Sequence, residues 1–155
     1  PFVDKDRLGA VGASYGGYSV FYLAGMHNKR FKAFVAHCGV YNTIAEYGAT
    51  EEYWYPNKDY QGAPWDKPQP AGYNKFSPHT MVDKWDTPIL IISGLNDFRI
   101  PYTQSMEAFN SAQLRGVPSK LLLFENETHW VTKPQNAVIW QKEFFSFLDT
   151  YLKEN

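Results

Sequence analysis

Apolar and polar positions along this chain fall into short runs that alternate between a strand-like and a helix-like spacing. Leu8 to Gly12 is a brief apolar run that stops at a glycine-flanked serine, and Tyr18 to Met26 behind it is mostly apolar at helical intervals. This predicts strand, sharp turn, helix. Phe31 to Cys38, bounded by Arg30 and Gly39, predicts the next strand. Pro88 to Ser93 is uninterruptedly apolar and closes at Gly94, the pattern of a strand covered on both faces of a parallel sheet. Tyr102 to Arg115 has helical spacing through Met106, Phe109, Ala112 and Gln113 and ends at Gly116, and Lys120 to Phe124 predicts a further strand. Asn136 to Leu152 places Ile139, Trp140, Phe144, Phe147, Leu148 and Tyr151 on one side of a long amphipathic helix. The order predicts an α/β fold: an open, mostly parallel sheet flanked by helices.

The alternation breaks once. From about residue 41 to 87 the chain is dense in Tyr, Trp, Pro and Gly, as in Tyr53-Trp54-Tyr55-Pro56 and Gly62-Ala63-Pro64-Trp65. A structureless loop of that length is uncommon inside a domain unless it serves a site or holds short helices. With 155 residues, 44% of them hydrophobic and 17% aromatic, the chain can fill one packed domain. A formal net charge of -1, with Lys and Arg scattered, leaves no basic face for a nucleic-acid backbone. The one cysteine, Cys38, cannot form an internal disulfide, and no Cys/His spacing suggests a metal site. No apolar run is long enough to span a bilayer, and the first residues lack a signal-peptide layout. Neither a nucleic acid nor a membrane is therefore expected as a partner.

Chemistry concentrates at three places. Gly12-Ala13-Ser14-Tyr15-Gly16, extended by Gly17 and Tyr18, matches the Gly-x-Ser-x-Gly pattern of a nucleophile elbow, in which a tight turn lifts the serine hydroxyl above the sheet. The following helix aims its unpaired N–H groups and positive dipole end at that site, favouring a developing negative charge. A bare match could equally be a glycine-rich turn; a strand before it and a helix after it favour the nucleophile. A serine hydroxyl needs a base, and the base an orienting carboxylate. Asp97, just past the strand ending at Ser93, and His129, just past the strand ending at Phe124, both fall on strand-end loops in the order serine, acid, histidine. Taken singly, Asp97 reads as a turn aspartate and His129 as an ordinary loop histidine.

Rival groups are weaker. Asp83 and Asp86 precede the strand beginning at Pro88 and so belong at its opposite end, whereas Glu127, on the loop of His129, is the reserve acid. Asp4 and Asp6 flank Lys5 in a solvated turn, and His27, His37 and His79 are read as structural.

Three separated motifs also carry a family likeness. Gly12 to Tyr18, Gly94-Leu95-Asn96-Asp97-Phe98-Arg99-Ile100-Pro101, and His129-Trp130 with Lys133-Pro134-Gln135-Asn136 together resemble the prolyl oligopeptidase family of serine peptidases, in particular its dipeptidyl-peptidase V and acylaminoacyl-peptidase-like branch. The resemblance takes in Glu52-Tyr53-Trp54, Phe76-Ser77-Pro78 and Arg115 to Ser119 as well. It implies an α/β-hydrolase fold, with Ser14 as nucleophile, Asp97 as acid, His129 as base and the backbone N–H of Tyr15 as one oxyanion donor, and no metal or organic cofactor.

Members of that family carry an N-terminal β-propeller and a larger sheet, so residues 1–155 are expected to be the C-terminal portion of a longer catalytic domain. Such a piece would expose a sheet edge through which copies could associate. The aromatic stretch is expected to shape the pocket for the residue on the acyl side of the cleaved bond, with Tyr41, Tyr47 and Trp54 as the candidates. Arg99 is expected to steady the Asp97 loop or pair with a carboxylate. The expected activity is hydrolysis of short peptides. A carboxylesterase and an inactive fragment stay open, since triad and fold do not fix the substrate. The compartment stays open; an upstream propeller and signal peptide would point to an exported parent.

Overall fold

The computed structural model describes residues 2–153. Four parallel strands, β1 (Gly9–Ala13), β2 (Ala33–His37), β3 (Ile89–Gly94) and β4 (Ser119–Phe124), lie side by side in chain order. Parallel neighbours require crossovers, and helices supply them. α1 (Tyr15–Ala24) joins β1 to β2, α4 (Thr103–Leu114) joins β3 to β4, and α5 (Pro134–Leu152) follows the last strand. Among the described residues no helix is long and apolar enough to cross a membrane.

β2 and β3 are buried along their whole length, as the uninterrupted apolar run of β3 predicts. Alternation divides their side chains between two layers. Phe34, Ala36, Ile89 and Ile91 face one way and join Val20, Phe21 and Ala24 of α1 with Ala108 and Ala112 of α4. Ala33, Val35, Leu90 and Ile92 face the other way and meet Phe147 with Trp140, Phe144 and Leu148 of α5. Each fully buried Ile or Leu contributes roughly 1.5–3 kcal/mol, so the β2–β3 pair is where this fold is anchored.

Helix starts differ from the sequence expectation. α1 begins at Tyr15 rather than Tyr18, because the turn residues themselves enter the helix. α5 begins at Pro134 rather than Asn136, with its proline in the first turn, where a missing N–H costs nothing. The aromatic interruption is not structureless. It folds as α2 (Thr43–Tyr47), α3 (Trp54–Asp59) and two 3-10 segments, Ala71–Tyr73 and Pro78–Lys84. Asn42 starts α2 by accepting the N–H groups of Ile44 and Ala45 at 3.2 Å each.

Candidate active site

Parallel strands deliver all their carboxyl ends to one edge of the sheet, and the loops leaving β1, β3 and β4 meet there. At the first, Ser14 sits between strand and helix at φ 59°, a left-handed conformation that a non-glycine residue adopts only when its surroundings force it. The forcing contacts are visible. Ser14 N–H donates to the His37 carbonyl at 2.9 Å, and the Ser14 carbonyl accepts Tyr18 N–H at 3.0 Å. A side chain on Gly12 would meet the Gly16 carbonyl oxygen at 2.3 Å, and one on Gly17 would meet the backbone of His37 and Gly39 within 2.9 Å. The turn closes because those positions carry no Cβ.

At the second loop, Asp97 is 2% exposed and fully engaged. Its Oδ1 accepts the N–H groups of Arg99 at 3.1 Å and Ile100 at 2.9 Å, and its Oδ2 lies 2.8 Å from His129 Nδ1. An ionised carboxylate only accepts, so this pairing puts the imidazole hydrogen on Nδ1 and leaves Nε2 with a lone pair. That Nε2 lies 2.9 Å from Ser14 Oγ. Ser14, His129 and Asp97, expected from their order along the chain, are thus within hydrogen-bonding reach of one another in sequence.

The loops of β3 and β4 are tied to each other as well as to the histidine. Asn96 N–H donates to the Glu127 carbonyl at 3.0 Å, Asn96 Nδ2 donates to the Glu125 carbonyl at 3.2 Å, and Leu95 N–H donates to the Phe124 carbonyl at 2.9 Å. A Cβ on Gly94 would lie 2.3 Å from the Thr128 carbonyl oxygen, so its absence lets the histidine loop cross directly over the end of β3. Glu127, the reserve acid, is engaged with other partners. Its carboxylate accepts from Thr132 N at 3.0 Å, Lys133 N at 3.0 Å, Thr132 Oγ1 at 3.2 Å and Asn136 Nδ2 at 2.7 Å. These bonds, the Thr132 backbone N–H first among them, hold its carboxyl down at about 2.

Two buried groups border the imidazole. Burial, reinforced by His129, pushes the His37 ring down to about 4, so it adds no charge near neutral pH. Cys38, at φ 42°, places Sγ 3.9 Å from His129 Nε2, and burial pushes its thiol up to about 12. Among the described residues Cys38, Asp97 and His129 group ligand-type atoms within 4.8 Å of one another.

Beside Ser14 opens a cavity of about 670 Å³, with Tyr15, Tyr18, Val40, Tyr60, Phe76 and Ile100 in its wall and Glu52 and Arg99 at its polar side. Glu52 and Arg99 are ion-paired at 3.1 Å, which gives Arg99 the carboxylate partner expected of it. The aromatic candidates for this wall need correction. Tyr41 is 3% exposed and belongs to the core, its ring against Phe21 and Trp85 and its hydroxyl donating to Ser111 Oγ at 2.8 Å. Tyr47 packs on Trp65 and Tyr73, and Trp54 is 62% exposed with its edge on Tyr55. None of the three borders the cavity; Tyr55 and Tyr60, from the same stretch, do. Composition flagged a segment that reaches this cavity, but which ring turns inward depends on how α2 and α3 fold back.

A model of the prolyl oligopeptidase family matches residues 1–155. The dipeptidyl-peptidase 5 of Porphyromonas endodontalis is 53% identical over 155 residues, covering 99% of this chain and 22% of that protein. The dipeptidyl-peptidase 5 of Schizosaccharomyces pombe is 38% identical over 154 residues, covering 99% of this chain and 22% of that protein. Among solved structures, Pyrococcus horikoshii acylaminoacyl peptidase superposes with a TM-score of 0.89 at 24% identity over 98% of this chain and 25% of its own. The chain spans about a fifth of the length of the curated relatives it matches.

Proposed function

The chain belongs to the prolyl oligopeptidase family, and from that premise we propose that it carries the reacting centre of a serine peptidase acting on short peptides. The observation that carries this reading is the run of contacts from Asp97 Oδ2 to His129 Nδ1 at 2.8 Å and from His129 Nε2 to Ser14 Oγ at 2.9 Å. His129 takes the proton of Ser14 as Oγ attacks the peptide carbonyl, an acyl-enzyme forms, and water activated by the same nitrogen releases it. Asp97 fixes the tautomer and stabilises the imidazolium. Tyr15 N–H, in the first turn of α1 and without an intrahelical acceptor, supplies one hydrogen bond to the oxyanion.

The cavity beside Ser14 is the pocket for the acyl-side residue, with Val40, Ile100 and Tyr60 offering it apolar contact. Relatives named dipeptidyl-peptidase 5 favour release of dipeptides; the name acylaminoacyl peptidase on a structural neighbour points to a blocked residue instead. Both are acyl transfer from a short peptide. The outer edge of β1, which has no strand partner among the described residues, supports a further part of the reading, association of this chain with a second strand.

Ser14→Ala or His129→Ala is expected to reduce turnover of a dipeptidyl-anilide by about a million-fold, the scale of comparable triads. Fluorophosphonate labelling at Ser14 should be lost with either change. Near-normal turnover in either variant would remove the assignment, and faster turnover of a short-chain ester than of the anilide would favour an esterase.

A further inference from the structure

We infer that Cys38, His129 and Ser14 together form a binding site for a thiophilic divalent cation, of the class of Zn²⁺ or Cd²⁺, that blocks the serine while occupied. Binding itself requires only the side-chain geometry; the block rests on the catalytic reading above. Asp97 Oδ2 engages His129 Nδ1 at 2.8 Å, so the nitrogen left for a metal is Nε2. That nitrogen faces Cys38 Sγ at 3.9 Å and Ser14 Oγ at 2.9 Å. Zinc holds sulfur at about 2.3 Å and imidazole nitrogen at about 2.0–2.1 Å, so in a tetrahedral site the two ligand atoms stand about 3.6 Å apart. The observed pair therefore needs to close by only a few tenths of an ångström.

The surroundings are those of a metal-bound histidine. A ligating imidazole ordinarily donates its other N–H to a carboxylate, which orients the ring and raises its basicity, and Asp97 stands in that place. Cys38 is held on its side of the ring by Cys38 N–H donating to the Ile92 carbonyl at 2.8 Å. Ser14 Oγ, 2.9 Å from the same nitrogen and in the wall of the cavity, is the third donor of the proposed site, and water from that cavity completes the set. Thiolate with imidazole selects Zn²⁺ or Cd²⁺ over Mg²⁺ or Ca²⁺. On binding, the Cys38 S–H bond breaks, sulfur keeps the electron pair and gives it to the cation, and the proton leaves to solvent; nothing is oxidised or reduced.

Cadmium chloride titrated into the protein tests this through the ultraviolet thiolate-to-cadmium absorption, which does not depend on activity. Cys38 is the only cysteine of the chain, so the signal has a single source here. The site predicts one equivalent of absorption that EDTA removes. It also predicts reversible inhibition by Cd²⁺ and Zn²⁺, and protection of Ser14 from fluorophosphonate. In Cys38→Ala, compared with its own metal-free rate, inhibition should weaken by more than about tenfold and the absorption should vanish. In His129→Ala, which keeps the thiol, cadmium affinity should fall by a similar factor; that variant decides the matter if Cys38→Ala does not fold. Absence of the absorption, equal inhibition of Cys38→Ala, or full cadmium affinity in His129→Ala would overturn the site. Cadmium bound through Cys38 and His129 in a protein with no metal-free turnover would instead leave the site standing and remove the peptidase reading.

Discussion

At the scale of single residues, the Gly-x-Ser-x-Gly pattern is a poor guide to which glycines the turn needs. Gly12 is required by the 2.3 Å approach its Cβ would make to Gly16, whereas a Cβ on Gly16 itself meets nothing within 4 Å. The demanding partner lies outside the pattern. A Cβ on Gly17 would sit 2.6 Å from the His37 carbonyl oxygen, the same atom that accepts Ser14 N–H at 2.9 Å. Gly17→Ala should therefore push β2 and the serine turn apart, costing roughly 1–3 kcal/mol through overpacking. A shift of about an ångström at Ser14, the proposed nucleophile, is expected to lower turnover about a hundredfold. Gly16→Ala, inside α1, should instead gain about 0.5–1 kcal/mol through helix propensity and leave folding intact. Thermal melts and turnover of the two variants check the contrast; equal damage at both positions would show that the motif, not the packing, makes the demand. That Ser14, Asp97 and His129 come together was legible because each follows a strand in the order serine, acid, histidine, and such an order survives without knowledge of rotamers.

At the scale of elements, the histidine loop owes its position to both elements it joins. Its front is tied to the β3 loop through Asn96, and its back is pinned to the first turn of α5 by Glu127. A carboxylate at a helix start satisfies N–H groups that have no intrahelical partner. The sequence signal was present, an acidic residue shortly before a proline-started helix, but proximity to His129 suggested a reserve acid instead. The linkage to pH follows from the depressed carboxyl. Its folded value of about 2 lies below the ordinary 4.5, so the unfolded chain binds the proton first as pH falls. Stability from Glu127 is fully present above pH 4.5 and is lost as the pH drops toward 2. Glu127→Gln should lower the melting temperature near neutral pH and reduce turnover by loosening the His129 loop. The gap between wild type and variant should narrow steadily below pH 4.5. A gap that stays constant down to pH 2 would show that the carboxylate charge is not what holds the loop.

At the scale of the whole molecule, alternation and loop order sufficed for a parallel sheet with helices, because burial on both faces writes itself into composition. The interior of the aromatic stretch was not legible, since Tyr41 enters the core only where Phe21 of α1, Trp85 just after the second 3-10 segment and Ser111 of α4 converge on it. The outer edge of the four described strands likewise emerges only once their order is known. β2 and β3 are fully buried, but β1 is exposed at Gly9 and Val11, and its outer side has no strand partner among the described residues. Unpaired N–H and C=O groups along a strand are a template for another strand, and charged side chains placed there discourage the pairing. Val11, 52% exposed, is the position at which a charge would act with least disturbance of the core. The average mass of this chain by sedimentation equilibrium is therefore expected to rise across a concentration series, and Val11→Lys should flatten that rise while leaving the thermal transition close to the wild-type value. Equal association in the lysine variant would place the contact elsewhere on the surface, and a constant monomer mass in the unmodified chain would show that the β1 edge is protected without a partner.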